Sequence, residues 1–160
     1  YIGLQILKNK ISVNKKISNF FIKKYFHPEL QIKLTNHLLK FANTSIDISD
    51  GLIGDLEKMI NRQNFSFLIK ENKIPISLNL KKLIFKKKLK KINTVTNGDD
   101  YQILFTASLN KSRIIKRISK KLGVKITKIG KIISGKKNSM IIDVKGKQIK
   151  AISTAYKHEF

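Results

Sequence analysis

Thr44-Ser45-Ile46-Asp47-Ile48-Ser49-Asp50-Gly51-Leu52-Ile53-Gly54-Asp55-Leu56 passes from a short strand into an amphipathic helix across a single glycine-containing turn. The strand is expected over 44–48. The helix is expected to start around Asp50 to Leu52, because Leu52, Ile53, Leu56, Met59 and Ile60 recur at helical spacing and share one face. A strand end that hands over to a helix N-terminus through a glycine turn is a frequent place for ligand chemistry in α/β sheets. This joint carries Asp47, Ser49 and Asp50.

Upstream of it, Pro28-Glu29 predicts a helix with proline in its first turn, running to about Ala42 and burying Leu34, Leu38, Leu39 and Phe41. Downstream, 65–69 reads as a strand and Ile74-Pro75-Ile76 as an extended, turn-bounded piece. A lysine-heavy helix is expected over 78–89 and an apolar strand over 101–106. The cleanest helix is 111–122, with the stripe Ile114, Ile115, Ile118 and Leu122 and with Gly123 placed to end it. Strands at 124–133, 140–144 and 148–152 follow, separated by turns containing Gly135 and Gly146. The pattern is that of an α/β (α+β) domain, a mixed sheet with helices packed on it.

At 160 residues the chain suffices for one domain with a real core. Its formal net charge of +24 makes nucleic-acid binding a reading to be weighed. Against it, the cations are almost all lysine, with Arg62, Arg113 and Arg117 the only arginines, and arginine is the favoured reader of phosphates and bases. A chain rich in Ile and Asn can also owe its lysines to compositional drift. With no cysteine, disulfides and thiolate metal sites are excluded, which is compatible with a reducing cytoplasm. No apolar run approaches the length of a membrane span. Tyr1 stands where an initiator Met would, so the chain is expected to begin inside a longer protein.

In so basic a chain the acids are informative. Six of the ten fall in two segments: Asp47, Asp50, Asp55 and Glu57 in one, Asp99 and Asp100 in the other. Paired carboxylates at a strand-to-helix joint suit Mg²⁺, a hard cation that takes one or two carboxylates plus waters and phosphates. Ser49 and Asp50 would serve equally as helix caps. Asp55 and Glu57 read as first-turn acids that favour a helix without further function. Asp47 projects from a largely apolar strand, where an unpaired buried carboxylate would be costly. Asn97-Gly98-Asp99-Asp100-Tyr101 is turn chemistry in the first instance, with two acids beside an apolar strand.

These segments together resemble the thiamine-monophosphate kinases, of the superfamily that includes aminoimidazole ribonucleotide synthase. Asp47-Ile48-Ser49-Asp50-Gly51-Leu52 is similar to the family's Asp-x-Ser-Asp-Gly-Leu. Asn97-Gly98-Asp99-Asp100-Tyr101-Gln102-Ile103-Leu104-Phe105-Thr106 resembles its Gly-Gly-Glu-Asp-Tyr-Glu-Leu-Leu-Phe-Thr. Ile129-Gly130-Lys131-Ile132, Ile74-Pro75-Ile76-Ser77 and the ending Ala155-Tyr156-Lys157-His158-Glu159-Phe160 match further segments in order. The resemblance implies the C-terminal domain of such an enzyme, with residues 1–27 leading into a domain at 28–160 and the N-terminal, ATP-binding half absent.

The implied reaction is phosphorylation of thiamine phosphate by ATP to thiamine diphosphate, in the cytoplasm, with Mg²⁺ bridging phosphates. The implied partners are ATP, thiamine phosphate, the missing domain and a second subunit in a homodimer. Asp47 and Asp50 would hold Mg²⁺, Ser49 would touch ATP, and Asp99 and Tyr156 would contact the thiamine moiety. Asp99 is one methylene shorter than the family's Glu, Ala155 stands for a glycine, Glu159 interrupts the usual His-Phe pair, and His158 reads as structural. Lacking its partner half, the chain is expected to fold without catalysing. Competing readings are another superfamily member, of the aminoimidazole ribonucleotide synthase or selenophosphate synthase type, a degenerate relative, and a basic nucleic-acid-binding module.

Overall fold

A computed structural model describes residues 1–60, 63–87, 89–98, 100–135 and 138–149. Strand β1, Thr44–Asp47, pairs antiparallel with β3, Ile103–Thr106, in the register Thr44 to Thr106 through Asp47 to Ile103. Alternation along β3 gives this ribbon two faces. Leu104, with Ile46 of β1, faces one apolar cluster, and Ile103 and Phe105 face another.

The other strands form a separate mixed sheet in the order β4-β2-β5-β6. Here β2 is Phe65–Lys70, β4 Gly130–Ser134, β5 Met140–Ile142 and β6 Gln148–Ile149. β2 runs antiparallel to β4 and parallel to β5, so the expected mixed character is borne out.

Helix α4, Leu52–Ile60, joins the two sheets through the main core. Leu52, Ile53, Leu56 and Met59 pack with Phe67 and Ile69 of β2, Leu104 of β3 and Ile141 of β5. A second core lies under α7, Ser112–Leu122, whose Ile118 is buried with Phe41 and with Leu34 of α3, Ile32–Leu38. The rings of Phe41 and Phe105 meet there at a centroid distance of 5.1 Å. Gly123 ends α7 in the left-handed conformation expected of a helix-terminating glycine, with φ 65°.

Residues 1–27 build a third cluster. Helices α1, Ile2–Leu7, and α2, Lys15–Phe26, enclose Ile2, Ile6 and Phe21 together with Leu83 of α5, Leu78–Lys87. The short helix α6, Lys91–Val95, leads into the second acidic segment. Among the described residues no helix is long and apolar enough to cross a membrane.

Several expected boundaries move, each for a local reason. The helix expected from Pro28 begins at Ile32 instead. Glu29 is drawn back into an ion pair with Lys24, while its carbonyl accepts from the Gln102 side chain at 3.3 Å. That helix also stops at Leu38, so Leu39 is 98% exposed rather than buried, and a tight turn delivers Phe41 to the core. The strand expected over 124–133 is ordered into a ladder only from Gly130. Its partner β2 ends at Lys70, where the chain turns into a 3₁₀ turn at Glu71–Lys73, so 124–128 have no strand opposite them.

Candidate functional site at the strand-to-helix joint

The two acidic segments, some fifty residues apart in the chain, are brought edge to edge by the β1–β3 ribbon. Pairing continues past β1: the Ile48 N–H donates to the Gln102 carbonyl and the Tyr101 N–H to the Ile48 carbonyl, both at 2.9 Å. Tyr101 achieves this with φ 51°, a left-handed conformation that non-glycine residues seldom adopt. Beyond these bonds, 49–51 and 96–98 lie backbone against backbone. A Cβ on Gly98 would sit 1.8 Å from the Ser49 carbonyl oxygen, and one on Gly51 (φ 110°) would sit 2.1 Å from that of Thr96. Glycine is required at both places for space, and at Gly51 for conformation as well.

Asp55 organises the loop from beneath. Its side chain is fully buried, and its Oδ2 accepts the backbone N–H groups of Ser49 and Asp50 at 2.9 Å each. Its Oδ1 accepts from Lys58 Nζ at 3.0 Å. The same ammonium donates to Asp50 Oδ2, so one lysine bridges two carboxylates. Hydrogen bonding to Asp50 and then to Asp55 raises the Lys58 pKa above its ordinary value, against a smaller opposing cost of burial. Buried and pinned by two backbone donors and an ammonium, Asp55 stabilises the loop that carries Ser49 and Asp50. The reading of Asp55 as a merely favourable first-turn acid is therefore corrected. Its signal lay in the sequence: Asp55 stands three residues after Leu52 and one before Leu56, on the apolar face of the helix. Glu57 is exposed and lies in the second turn of α4, so Asp55 alone is a first-turn acid.

Asp47 also needs correction. It ends β1 and is exposed, on the face of the ribbon opposite Ile46. The cost of burying a carboxylate is no argument for a metal there. What remains is an accessible carboxylate at a strand end, three residues before Asp50. Asp99 and Tyr156 lie outside the described residues. Among the described residues no cluster of three or more His, Cys, Asp or Glu could enclose a metal ion. Asp47 and Asp50 are the carboxylates that flank the joint, and Asp50 shares the Lys58 ammonium with Asp55. Such a set fits a hard divalent cation that keeps most of its waters or takes phosphate oxygens, and does not fit an all-protein cage.

No family model matches the chain. Among curated proteins, the thiamine-monophosphate kinase of Buchnera aphidicola (subspecies Acyrthosiphon pisum) is 40% identical over 133 residues, covering 81% of this chain and 40% of that protein. The chain is a relative of the thiamine-monophosphate kinases. The enzyme of the same name from Aquifex aeolicus is 32% identical over 105 residues. Its crystal structure superposes with a TM-score of 0.71 at 27% identity, covering 92% of this chain and 46% of that one. A structure described as AaThiL complexed with AMPPCP and TMP gives the same TM-score and identity. The thiamine-monophosphate kinase of Stenotrophomonas maltophilia, at 23% identity and a TM-score of 0.75, shares the fold. The chain therefore spans about 40% of the first curated relative and under half of these solved chains.

Proposed function

We propose that this chain is the C-terminal portion of an enzyme that phosphorylates thiamine phosphate with ATP, giving thiamine diphosphate, and that the joint at 47–51 is its contribution to the active site. The observation that carries the reading is the clamping of two motifs into one edge. Asp47 ends β1, and Ser49 and Asp50 sit on the loop after it, which is fixed by the buried Asp55 and pressed against Gly98, directly before Asp99. Relatives bearing the kinase name, and a related structure described with AMPPCP and TMP, support it.

In this reading Asp47 and Asp50 hold Mg²⁺, which when bound neutralises phosphate charge and orients the transferring group. Asp47 offers an accessible carboxylate, and Asp50 offers one held in place through Lys58 and its own backbone N–H. Ser49 meets ATP from the same loop. Asp99 and Tyr156 contact the thiamine moiety, a cation suited to a carboxylate and an aromatic face. Catalysis requires the half of the protein that this chain lacks, and a homodimer working in the cytoplasm completes the proposal. Residues 28–160 form the domain, and 1–27 lead into it.

The test is thiamine diphosphate formation from ATP, Mg²⁺ and thiamine phosphate by the full-length protein carrying this chain. Asp47→Asn and Asp50→Asn are each expected to lower kcat/KM by roughly 10²-fold, the scale on which a single electrostatic group at a transition state acts. Turnover by the wild type that neither substitution reduces would overturn the assignment of the joint.

A further inference from the structure

We propose that Lys58 is a positioning residue of the cation site: an internal counter-ion that holds the Asp50 carboxylate and must yield it to an incoming divalent cation, so that Lys58 sets the cation affinity of the joint. This rests on the reading of Asp50 as a cation ligand and adds to it a residue that no motif identified.

Lys58 lies two turns along α4 from Asp50, and its Nζ donates at once to Asp50 Oδ2 and to Asp55 Oδ1, the latter at 3.0 Å. The two acceptors differ in kind. Asp55 is fully buried and spends its other oxygen on the Ser49 and Asp50 N–H groups, so it keeps needing a cation whatever happens outside. The Asp50 side chain is 23% exposed. The lysine side chain, 49% exposed, is free to slide off Asp50 while keeping Asp55. Before a cation arrives, the ammonium keeps the Asp50 carboxylate in one place and offsets its repulsion with Asp55. When a divalent ion approaches, it must displace the Lys58 ammonium from Asp50, and the ammonium returns to Asp55 alone. A half-exposed ion pair is weak, so the exchange is easy, but it subtracts directly from cation affinity.

Binding of Mn²⁺ to the 160-residue chain, followed by the electron paramagnetic resonance signal of free Mn²⁺, tests this without any turnover. Lys58→Met is expected to bind about two- to fivefold more tightly than wild type, the factor a weak surface ion pair corresponds to. Lys58→Arg, which retains a donor cation, should return affinity close to wild type. Lys116→Met on α7, which belongs to a different packing cluster, controls for general loss of positive charge and should leave affinity unchanged. Equal or weaker binding by Lys58→Met, or an equal gain in Lys116→Met, overturns the proposal while leaving the site itself standing. Should Asp50→Asn bind Mn²⁺ as well as wild type, the cation reading of the joint fails, and this inference fails with it. Urea unfolding of each variant separates a changed affinity from a changed fold.

Discussion

The backbone N–H of Asp50 donates to the buried carboxylate of Asp55 at 2.9 Å, so the outer acid of the joint is placed by the inner one. Ser49 makes the same bond to the same oxygen. A loop that would otherwise have several conformations is thereby given one, and the carboxylate that does this is shielded from solvent.

Asp55→Ala leaves two N–H groups without an acceptor and Lys58 without its inner partner. A loss of stability of roughly 2–5 kcal/mol is expected, from the two backbone donors left unsatisfied. Asp55→Asn keeps one oxygen for the N–H groups but sets an amide donor against the Lys58 ammonium, and should cost less, about 1–3 kcal/mol. Urea unfolding checks both. A cost no larger than that of Glu57→Ala, at an exposed position of the same helix, would remove Asp55 from its role.

Gly98→Ala places a methyl group 1.8 Å from the Ser49 carbonyl oxygen, where only backbone can move aside. Overpacking of this kind costs about 1–3 kcal/mol, and here it also pushes the two motif loops apart. Gly123→Ala is the matched control: its φ is 65°, but no atom lies within 4 Å of the new Cβ. It should cost about 1 kcal/mol for conformation alone. Both variants lose stability, and only Gly98→Ala should lower the activity of the full-length protein.

Lys91 ties two segments together, donating from Nζ to the carbonyls of Glu71 and Ile74 at 2.7 Å each. Burial lowers its pKa from the ordinary 10.5, partly countered by the charge of Glu71. Between that lowered value and 10.5 the unfolded chain binds more protons than the folded one, so this group's contribution to stability rises with pH. The stability advantage of wild type over Lys91→Met should therefore grow as the pH rises toward 10.5. Subtracting the variant removes the general relief of charge repulsion in so basic a chain. An advantage that shrinks over this interval would contradict the assignment.

Much of this architecture was legible in the residues. The joint at 44–52, the stripe of α4 and the stripe of α7 with its terminating glycine are all local patterns, and local patterns survive folding. The two motifs could be read as neighbours only through their resemblance to a family, because nothing in the spacing of Asp50 and Gly98 says that they touch. Helices α1, α2 and α6 escaped notice. Helices α1 and α6 are only six and five residues long. Ile6 of α1 and Phe21 of α2 become a core only with Leu83 of α5, and Ile92 and Val95 of α6 only within the main core.

The amino-acid sequence by itself determined the strand-to-helix joint of β1 and α4, the helix α7 and the places where a turn must carry glycine, since these follow from periodicity and from backbone freedom within a few residues. It placed Asp47, Ser49 and Asp50 together at one strand-to-helix joint for the same reason. Only the tertiary structure decided that Asp47 faces solvent, that Asp55 is the buried anchor and that Lys58 stands on Asp50. Burial depends on what distant parts of the chain bring to a side chain, and the pairing of Lys58 with Asp50 and Asp55 depends on the turn that the joint takes before α4.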